Sequence, residues 1–538
     1  MVGPTPADPD RPEPADPTRP GPADPTRPGP ADPATTAPAP PSAPTPIPTG
    51  PAPTPPPVVV LDGHGLPVTD VVRLADASAR PVPGTEAMKR VEESWNAARE
   101  IAAWGRVYGR STGVGANRSE DVPTDAAADH GLRLLRSHAG AIGDELPERE
   151  VRAMLTVRAN QILAGGAGLR PTVVTALCEA LENGAHPAVN EHGSVGTGDI
   201  AALAQMGLAL AGEHPWRGKG TAPDAQPLDN NDALALISSN ALTLGQSALA
   251  LHELRSLLTA TQLVAALSLL AVDGSYEAYA LPVHEARHHK GSYDVAAQMR
   301  AHLGAPDRPT PPLGRIQDPY GFRCVPQIHG PAQDAADALE AVLTVEINAA
   351  AENPLISPED MTAYHHGGFY MAQLALALDH FRLSVTQVAR LSTSRLSTLN
   401  EPAYTRLRPF LADGEPGASG VMILEYAAGA ALGDLRAFAA PASLGHAVLS
   451  RGVEEQASFA SLAARQTLRL CAAYRQVVGC ELVAAVRALR LRDHRPDPSL
   501  PVGRAFALAD AALEPALTDR PLTQDVARAA ALLDHFTE

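Results

Sequence analysis

The sequence predicts a mainly α-helical protein, with a long buried bundle at its centre and an extended proline-rich arm ahead of it. Three observations carry that expectation. Apolar residues make up 45% of the chain but aromatics only 4%, so the core must be built from Ala, Leu and Val, a composition that suits helices better than sheets. Residues 232–272 space Leu, Ala and Ile for a helix buried on several sides. Residues 1–57 hold 23 of the 52 prolines and cannot bury apolar surface. The chain, at 538 residues, is long enough for a large core.

The arm repeats Pro-Ala-Asp-Pro-Thr-Arg-Pro-Gly from Pro14 and from Pro22, with a partial third copy from Pro30. Such a segment is expected to be disordered and polyproline-like. Order is expected from Val58, with an N-terminal active-site domain over 58–230, a central helical bundle over 231–490 and a C-terminal helical segment over 491–538. The formal charge of −17, with no dense Lys/Arg run, argues against a nucleic-acid partner. Cys178, Cys324, Cys471 and Cys480 lie too far apart for a Cys-x-x-Cys site or a disulfide framework, so reduced thiols in a cytoplasmic protein are expected. No apolar signal region opens the sequence, and secretion is not expected. The uncharged run 233–252 contains Ser238, Ser239, Asn240, Thr243, Gln246 and Ser247. It is too polar for a membrane span and reads as a helix inside a bundle.

Several stretches carry chemistry. Residues 104–115, Trp-Gly-Arg-Val-Tyr-Gly-Arg-Ser-Thr-Gly-Val-Gly, set Tyr108 among glycines and read as a mobile surface loop. In 134–143, a lone His138 would ordinarily be a structural hydrogen-bonder. At 189–199, Val-Asn-Glu-His-Gly-Ser-Val-Gly-Thr-Gly-Asp leads a glycine turn into an Ala/Leu-rich helix. Gly193, Gly196 and Gly198 permit positive φ and close backbone approach. Free N–H groups at the helix start favour an anion or developing negative charge, and Asp199 is a plausible cap. Residues 316–330, Ile-Gln-Asp-Pro-Tyr-Gly-Phe-Arg-Cys-Val-Pro-Gln-Ile-His-Gly, hold Arg323, whose planar guanidinium suits bidentate capture of a carboxylate. On spacing alone, such an arginine is more often a surface ion pair.

Together these stretches resemble the aromatic amino acid ammonia-lyases, the family of histidine and phenylalanine ammonia-lyases, over about nine-tenths of the chain. Gly193-Ser194-Val195-Gly196 and Gly198-Asp199 match the family's Gly-Ser-Val-Gly-Ala-Ser-Gly-Asp. In the family, Ala-Ser-Gly cyclises and dehydrates into an electrophilic methylidene-imidazolone (MIO). Here Thr197 alone stands between the matching pairs, so the loop is one residue short and lacks the serine. Gly196, Thr197 and Gly198 occupy the place of the triplet.

The resemblance implies an ammonia-lyase-like fold, an amino acid substrate, and a homotetramer whose sites draw on more than one subunit. It makes Tyr108 the base that removes the β-proton, a role that needs a site able to lower a resting pKa near 10. Ser-His-Ala resembles the histidine-specific branch, which makes His138 a contact to an imidazole. The family's Gly-Leu-Ala-Leu-Ile-Asn-Gly-Thr reads Ala-Leu-Ala-Leu-Ile-Ser-Ser-Asn here, with Ser238 at the asparagine position and Asn240 two residues on. The Gln-Asp-Pro-Tyr block assigns the α-carboxylate to Arg323 and the lining of the reacting centre to Gln317 and Tyr320. Phe369, beside the matching Asn353-Pro354-Leu355-Ile356 stretch, would wall the pocket. Glu454 falls where histidine lyases place a glutamate, and could bond an imidazole N–H.

Three readings follow. Thr197 could dehydrate to a methylated analogue of the electrophile in an ordinary histidine or aromatic ammonia-lyase, although the extra methyl would crowd the cyclisation. The chain could instead be a C–N lyase without the prosthetic group, eliminating a good leaving group such as trimethylamine in the manner of an ergothionase. Or it could be a non-catalytic binding or scaffold protein. Retention of Tyr108, Tyr320 and Arg323 favours an enzyme, and the altered triplet favours the second reading.

Overall fold

Runs of Ala and Leu with few β-branched residues give long helices, and the computed structural model shows them as the frame of the molecule. It describes residues 56–310 and 314–537, so the proline-rich arm through residue 55 lies outside the described residues. The elements that position the site, in chain order, are α1 (Ala127–His138), α2 (Glu148–Leu163), α3 (Ile200–Leu210), α4 (Asn230–Ile237) and α5 (Ala241–Ala271). They are followed by α6 (Tyr320–Arg323), α7 (Val325–Glu346), α8 (Ala372–Leu399), α9 (Ile423–Phe438) and α10 (Ala460–Leu491). The strands among the described residues are three or four residues long and pair only two at a time. Val58–Leu61 runs parallel to Arg80–Pro83, and Ile142–Glu145 runs antiparallel to Asn190–His192 just ahead of the glycine turn.

Helices α5, α7, α8 and α10 pack side by side as the central bundle, and α2 joins it against α5. Because α5 carries Leu or Ala on every face, it is buried nearly all round. By length and composition the run Asn230–Ala271 could cross a membrane, but 78% of its most apolar window is buried inside the chain, as a bundle-core helix requires. All four cysteines are free.

The sequence predicts one helix through residues 232–272, whereas the structure breaks it at residues 238–240 into α4 and α5. Ser-Ser-Asn explains the break, since such side chains compete with helical hydrogen bonds and favour helix starts. The fully buried Arg158 of α2 stabilises it. Its guanidinium donates to the carbonyls of Ala235 (2.5 Å) and Leu236 (3.0 Å), which the end of α4 leaves open, and to the buried carboxylate of Glu352 (2.7 Å).

Most polar groups at the bundle centre are paired, but both side-chain polar atoms of the buried Gln262 on α5 and both ring nitrogens of His329 are not, among the described residues. His329, on α7, is fully buried. Burial, reinforced by the charge of Arg395, pushes its pKa down to about 3. The unfolded chain takes up this proton near pH 6.5 and the folded chain refuses it until near pH 3. Stability is therefore lost as pH falls through that window. Replacing His329 by Leu is expected to flatten the acid limb, making the variant about 3 kcal/mol more resistant at pH 4 relative to its change at pH 7, measured by urea unfolding at both pH values.

Candidate active site

The glycine turn is held from below. Gly196 and Gly198 sit at φ of +86° and +126°, backbone that L side chains rarely adopt. A Cβ at Gly196 would lie 2.3 Å from Ser458 Oγ and 2.7 Å from the Phe459 nitrogen. The Ser194 hydroxyl bridges the turn, donating to the Gly198 carbonyl (3.0 Å) and accepting from the Gly196 amide (3.1 Å). The segment preceding α10 clamps it further: Ser458 Oγ donates to Gly196 O (2.8 Å) and the Phe459 amide to Val195 O (2.9 Å).

Asp199 stands at the N-cap position of α3, but its side chain does not cap that helix. Its carboxylate instead accepts from the Thr243 amide (2.7 Å) and hydroxyl (2.9 Å) in the first turn of α5, and its amide donates to Ser239 O (2.8 Å). One residue thus ties the turn to the broken helix. The carboxyl is fully buried, and burial raises its pKa.

Above the turn lies a cavity of about 300 Å³. Tyr108 and Gly115 border it from the loop over 107–118, Thr197 and Gly198 from the turn, and Ser238 and Ser239 from the helix break. Ile200, Leu234, Phe369 and Val453 supply apolar wall, while Glu454, Asn353, His365 and Arg118 supply polar groups. Glu454 Oε2 meets the Thr197 hydroxyl at 3.4 Å, so a carboxylate stands beside the middle of the turn. Ser238 Oγ accepts from the Asn353 amide (2.9 Å). The amides of Thr197 and Gly198 have no acceptor among the described residues.

The Tyr108 loop reads from sequence as a mobile surface loop, and in the structure hydrogen bonds tie it to the body of the chain. Arg110 is buried and donates to the carbonyls of Asn231 (2.6 Å) and Ala167 (2.9 Å), while Asn230 Nδ2 donates back to Arg110 O (2.7 Å). Burial lowers the Arg110 pKa to about 10, still well above neutrality, so the anchor keeps its charge. The phenolic oxygen of Tyr108 accepts from the Gly115 amide at 2.7 Å, and its ring meets His365 edge-on with centroids 6.2 Å apart. The Ala116 amide rests on Ser450 Oγ (3.1 Å), held under the loop by a run in which Ser450 and Arg451 both take positive φ.

Of the residues singled out from sequence, the cavity gathers Tyr108, Thr197, Gly198, Ser238, Phe369 and Glu454. The others lie elsewhere in the chain. His138 ends α1, where its Nδ1 meets Leu134 O (2.8 Å) and Ser137 Oγ (2.9 Å) and serves the helix terminus. Asn240 is buried beneath Phe369 and donates to that residue's carbonyl (2.8 Å), so it fixes the wall without lining it.

Gln317, Tyr320 and Arg323 form a separate station. Arg323 donates to Asp318 O (2.6 Å) and stacks over the Tyr320 ring at 4.6 Å, while Tyr320 is 70% exposed. The α6 turn rests on Arg395, near the far end of α8 from Phe369. At 1.5 Å per residue, roughly 35 Å of helix separates the two ends. The Gln-Asp-Pro-Tyr block therefore cannot reach the cavity of its own chain.

Sequence reasoning missed Arg118, Asn353 and His365 as lining residues. Asn353 sits inside a matching stretch and could have been named. Arg118 and His365 fall outside the matching motifs, and only the folded backbone brings them to the cavity. Among the described residues, no group of three His, Cys, Asp or Glu could hold a metal.

The helical frame, the glycine turn at a helix start and the tyrosine loop above it define a class, and comparison with known proteins gives the same one. The chain belongs to the aromatic amino acid lyase family, whose family model matches residues 66–511. A curated relative, the histidine ammonia-lyase of Geobacillus sp. (strain WCH70), is 32% identical over 452 residues, covering 81% of this chain and 88% of that protein. Among solved structures, histidine ammonia-lyase from Trypanosoma cruzi is similar with a TM-score of 0.82 at 26% identity, covering 89% of this chain and 94% of the other. The ergothioneine-degrading enzyme ergothionase from Treponema denticola is similar with a TM-score of 0.83 at 26% identity, covering 89% and 99%.

Proposed function

We propose that this chain is a C–N lyase that eliminates an amine across Cα–Cβ of an imidazole-like or aromatic α-amino acid, giving an acrylate, and that it does so without the family's methylidene-imidazolone. The observation that carries this reading is the turn itself. The family's triplet begins with alanine, yet a Cβ at Gly196 has no room beside Ser458 and Phe459. The Gly196 carbonyl, which cyclisation would consume, is held by Ser458 Oγ. Thr197 adds a methyl where serine is required, and the loop is a residue short. The residues present do not fit the group.

An enzyme lacking that electrophile needs a substrate whose nitrogen already leaves well. A trimethylammonium nitrogen meets the need: Tyr108, acting as its phenolate, takes the β-proton and becomes the phenol, the C–H pair becomes the Cα–Cβ double bond, and the C–N pair departs on neutral trimethylamine. Supporting this, the Glu454 carboxylate stands beside Thr197, where it can hold a cationic nitrogen at the turn. The Gly115 amide stays hydrogen-bonded to the Tyr108 oxygen as the proton moves, and the free amides of Thr197 and Gly198 can face developing negative charge. Ile200, Leu234, Phe369 and Val453 receive the ring.

The exposed Tyr320 and Ile316, with Arg323, would complete the cavity of a neighbouring copy in a cytoplasmic homotetramer. Arg323 would there take the α-carboxylate. Purified protein assayed with histidine, phenylalanine, tyrosine and ergothioneine is expected to generate conjugated-acrylate absorbance with ergothioneine, releasing trimethylamine. Ammonia release from histidine with no reaction on the betaine would reject this reading.

A further inference from the structure

Resting on the lyase reading above, we propose that His365 accepts the phenolic proton of Tyr108, and that the imidazolium it becomes steadies the phenolate that meets the β-proton. The Tyr108 oxygen accepts from the Gly115 amide, but its own O–H has no acceptor among the described residues. His365 borders the same cavity and meets the Tyr108 ring edge-on, with centroids 6.2 Å apart. Neither of its ring nitrogens has a hydrogen-bond partner among the described residues. Two histidines follow each other here and are used differently. The strand Thr362–Tyr364, paired antiparallel with Leu355–Ser357, leads into both. His366 is spent on its surroundings: Nε2 donates to Glu352 O (2.7 Å), Nδ1 accepts from the Gly368 amide (2.9 Å), and its own amide donates to Asn353 Oδ1 (2.9 Å). These bonds fix the backbone beside His365 and leave the His365 ring to Tyr108.

A phenol resists ionising at neutral pH, and imidazole is the side chain suited to take a proton there. The lone pair of the neutral ring nitrogen bonds the proton and the O–H pair stays on oxygen, so phenolate and imidazolium form together with no change in net charge. Direct contact or one intervening water closes the span between the rings. The phenolate then takes the β-proton and is a phenol again, and the exposed imidazolium gives its proton to solvent. The charged groups that face this pair across the cavity support it. Glu454, from the turn at 449–454, favours the imidazolium, and Arg118, from the Tyr108 loop, favours the phenolate. Arg110 lies behind the loop on backbone carbonyls, Glu352 is paired with Arg158, and Tyr364 on the strand before His365 is bonded to Asp360.

The test uses the full-length protein with ergothioneine and two variants: His365→Phe, which keeps the ring contact and loses the nitrogens, and His365→Ala, which opens the space. Wild-type kcat/KM for trimethylamine release is expected to rise through the imidazole range, about pH 6 to 7, and then level off. Without the acceptor the phenol ionises only as the pH nears about 10. His365→Phe should therefore lie at least about tenfold below wild type at pH 7 and climb about tenfold per pH unit through pH 9. Added imidazole should restore His365→Ala at pH 7 and leave Tyr108→Phe inactive, a response that a purely structural role would not give. A His365→Phe profile parallel to wild type, with no rescue of His365→Ala, in a wild type that releases trimethylamine overturns the role of His365 and leaves the lyase reading standing. Ammonia release from histidine, with the same change of profile in the variants, supports the role while rejecting the trimethylamine reading. A wild type that turns over none of the four amino acids overturns both.

Discussion

Tyr108→Phe is expected to lower turnover by about 10³-fold while leaving the fold intact. The hydroxyl accepts one hydrogen bond, from the Gly115 amide, and its removal should cost no more than about 1 kcal/mol of stability. The ring keeps its place under the loop and against His365. Circular dichroism and the unfolding midpoint should therefore match wild type, while acrylate formation falls to the limit of detection. Substrate affinity should change little, because the phenol is assigned to proton transfer and not to binding. Turnover that survives this change would move the base elsewhere, and Tyr320 of a neighbouring copy would be the next to replace.

The largest stability effect is expected at the centre of the bundle. Arg395 of α8 and Glu481 of α10 are completely buried and meet through two hydrogen bonds, of 2.6 and 2.8 Å. Ser268 of α5 and Ser392 of α8 donate to the same carboxylate, at 2.7 and 2.5 Å. Three helices thus converge on one charge pair. Arg395→Met removes the cation and strands the carboxylate in an apolar interior, which should cost about 3–5 kcal/mol. Pairing it with Glu481→Leu removes the stranded charge and should restore most of the loss. Chemical denaturation of the single and double variants reads this directly. A single variant as stable as wild type would show that solvent reaches the pair. Arg395 also contacts Gly321 O at 3.3 Å, so the single variant should loosen the Tyr320 station as well.

How much of this was legible in the sequence depends on the range over which each feature is determined. The helices follow from composition and period, which are local, and the long apolar run after Asp232 did become the bundle core. The break at residues 238–240 was written locally too, in three successive cap-forming residues, but the apolar run on either side outweighed it. Tyr108, Thr197 and Glu454 come from stretches far apart in sequence, and resemblance to a family was the only sequence signal joining them. Arg118 and His365 had no such signal. The anchoring of the Tyr108 loop by Arg110 depends on carbonyls more than 50 residues away, which no local pattern encodes. Which copy's cavity Arg323 would serve was not legible for the opposite reason: a strong motif says what a residue does, but not in which copy.

The role assigned to Asp199 changed in an informative way. Sequence placed it as the cap of its own helix, and the structure turns it onto the first turn of α5. The turn therefore depends on the broken helix as well as on the glycines. A Thr243→Val variant, which keeps the amide bond and removes the hydroxyl donor, should cost about 1–2 kcal/mol by thermal unfolding, because a fully buried carboxyl loses one of its partners.

The central claim is that residues 193–199 remain ordinary polypeptide in the working enzyme. Mass spectrometry of the active protein, intact and as the peptide spanning Gly196, Thr197 and Gly198, measures this most directly. The expected result is the mass of the unmodified sequence in a preparation that eliminates trimethylamine. A mass lower by two waters, located to that peptide, would show that the ring forms after all and would contradict the account.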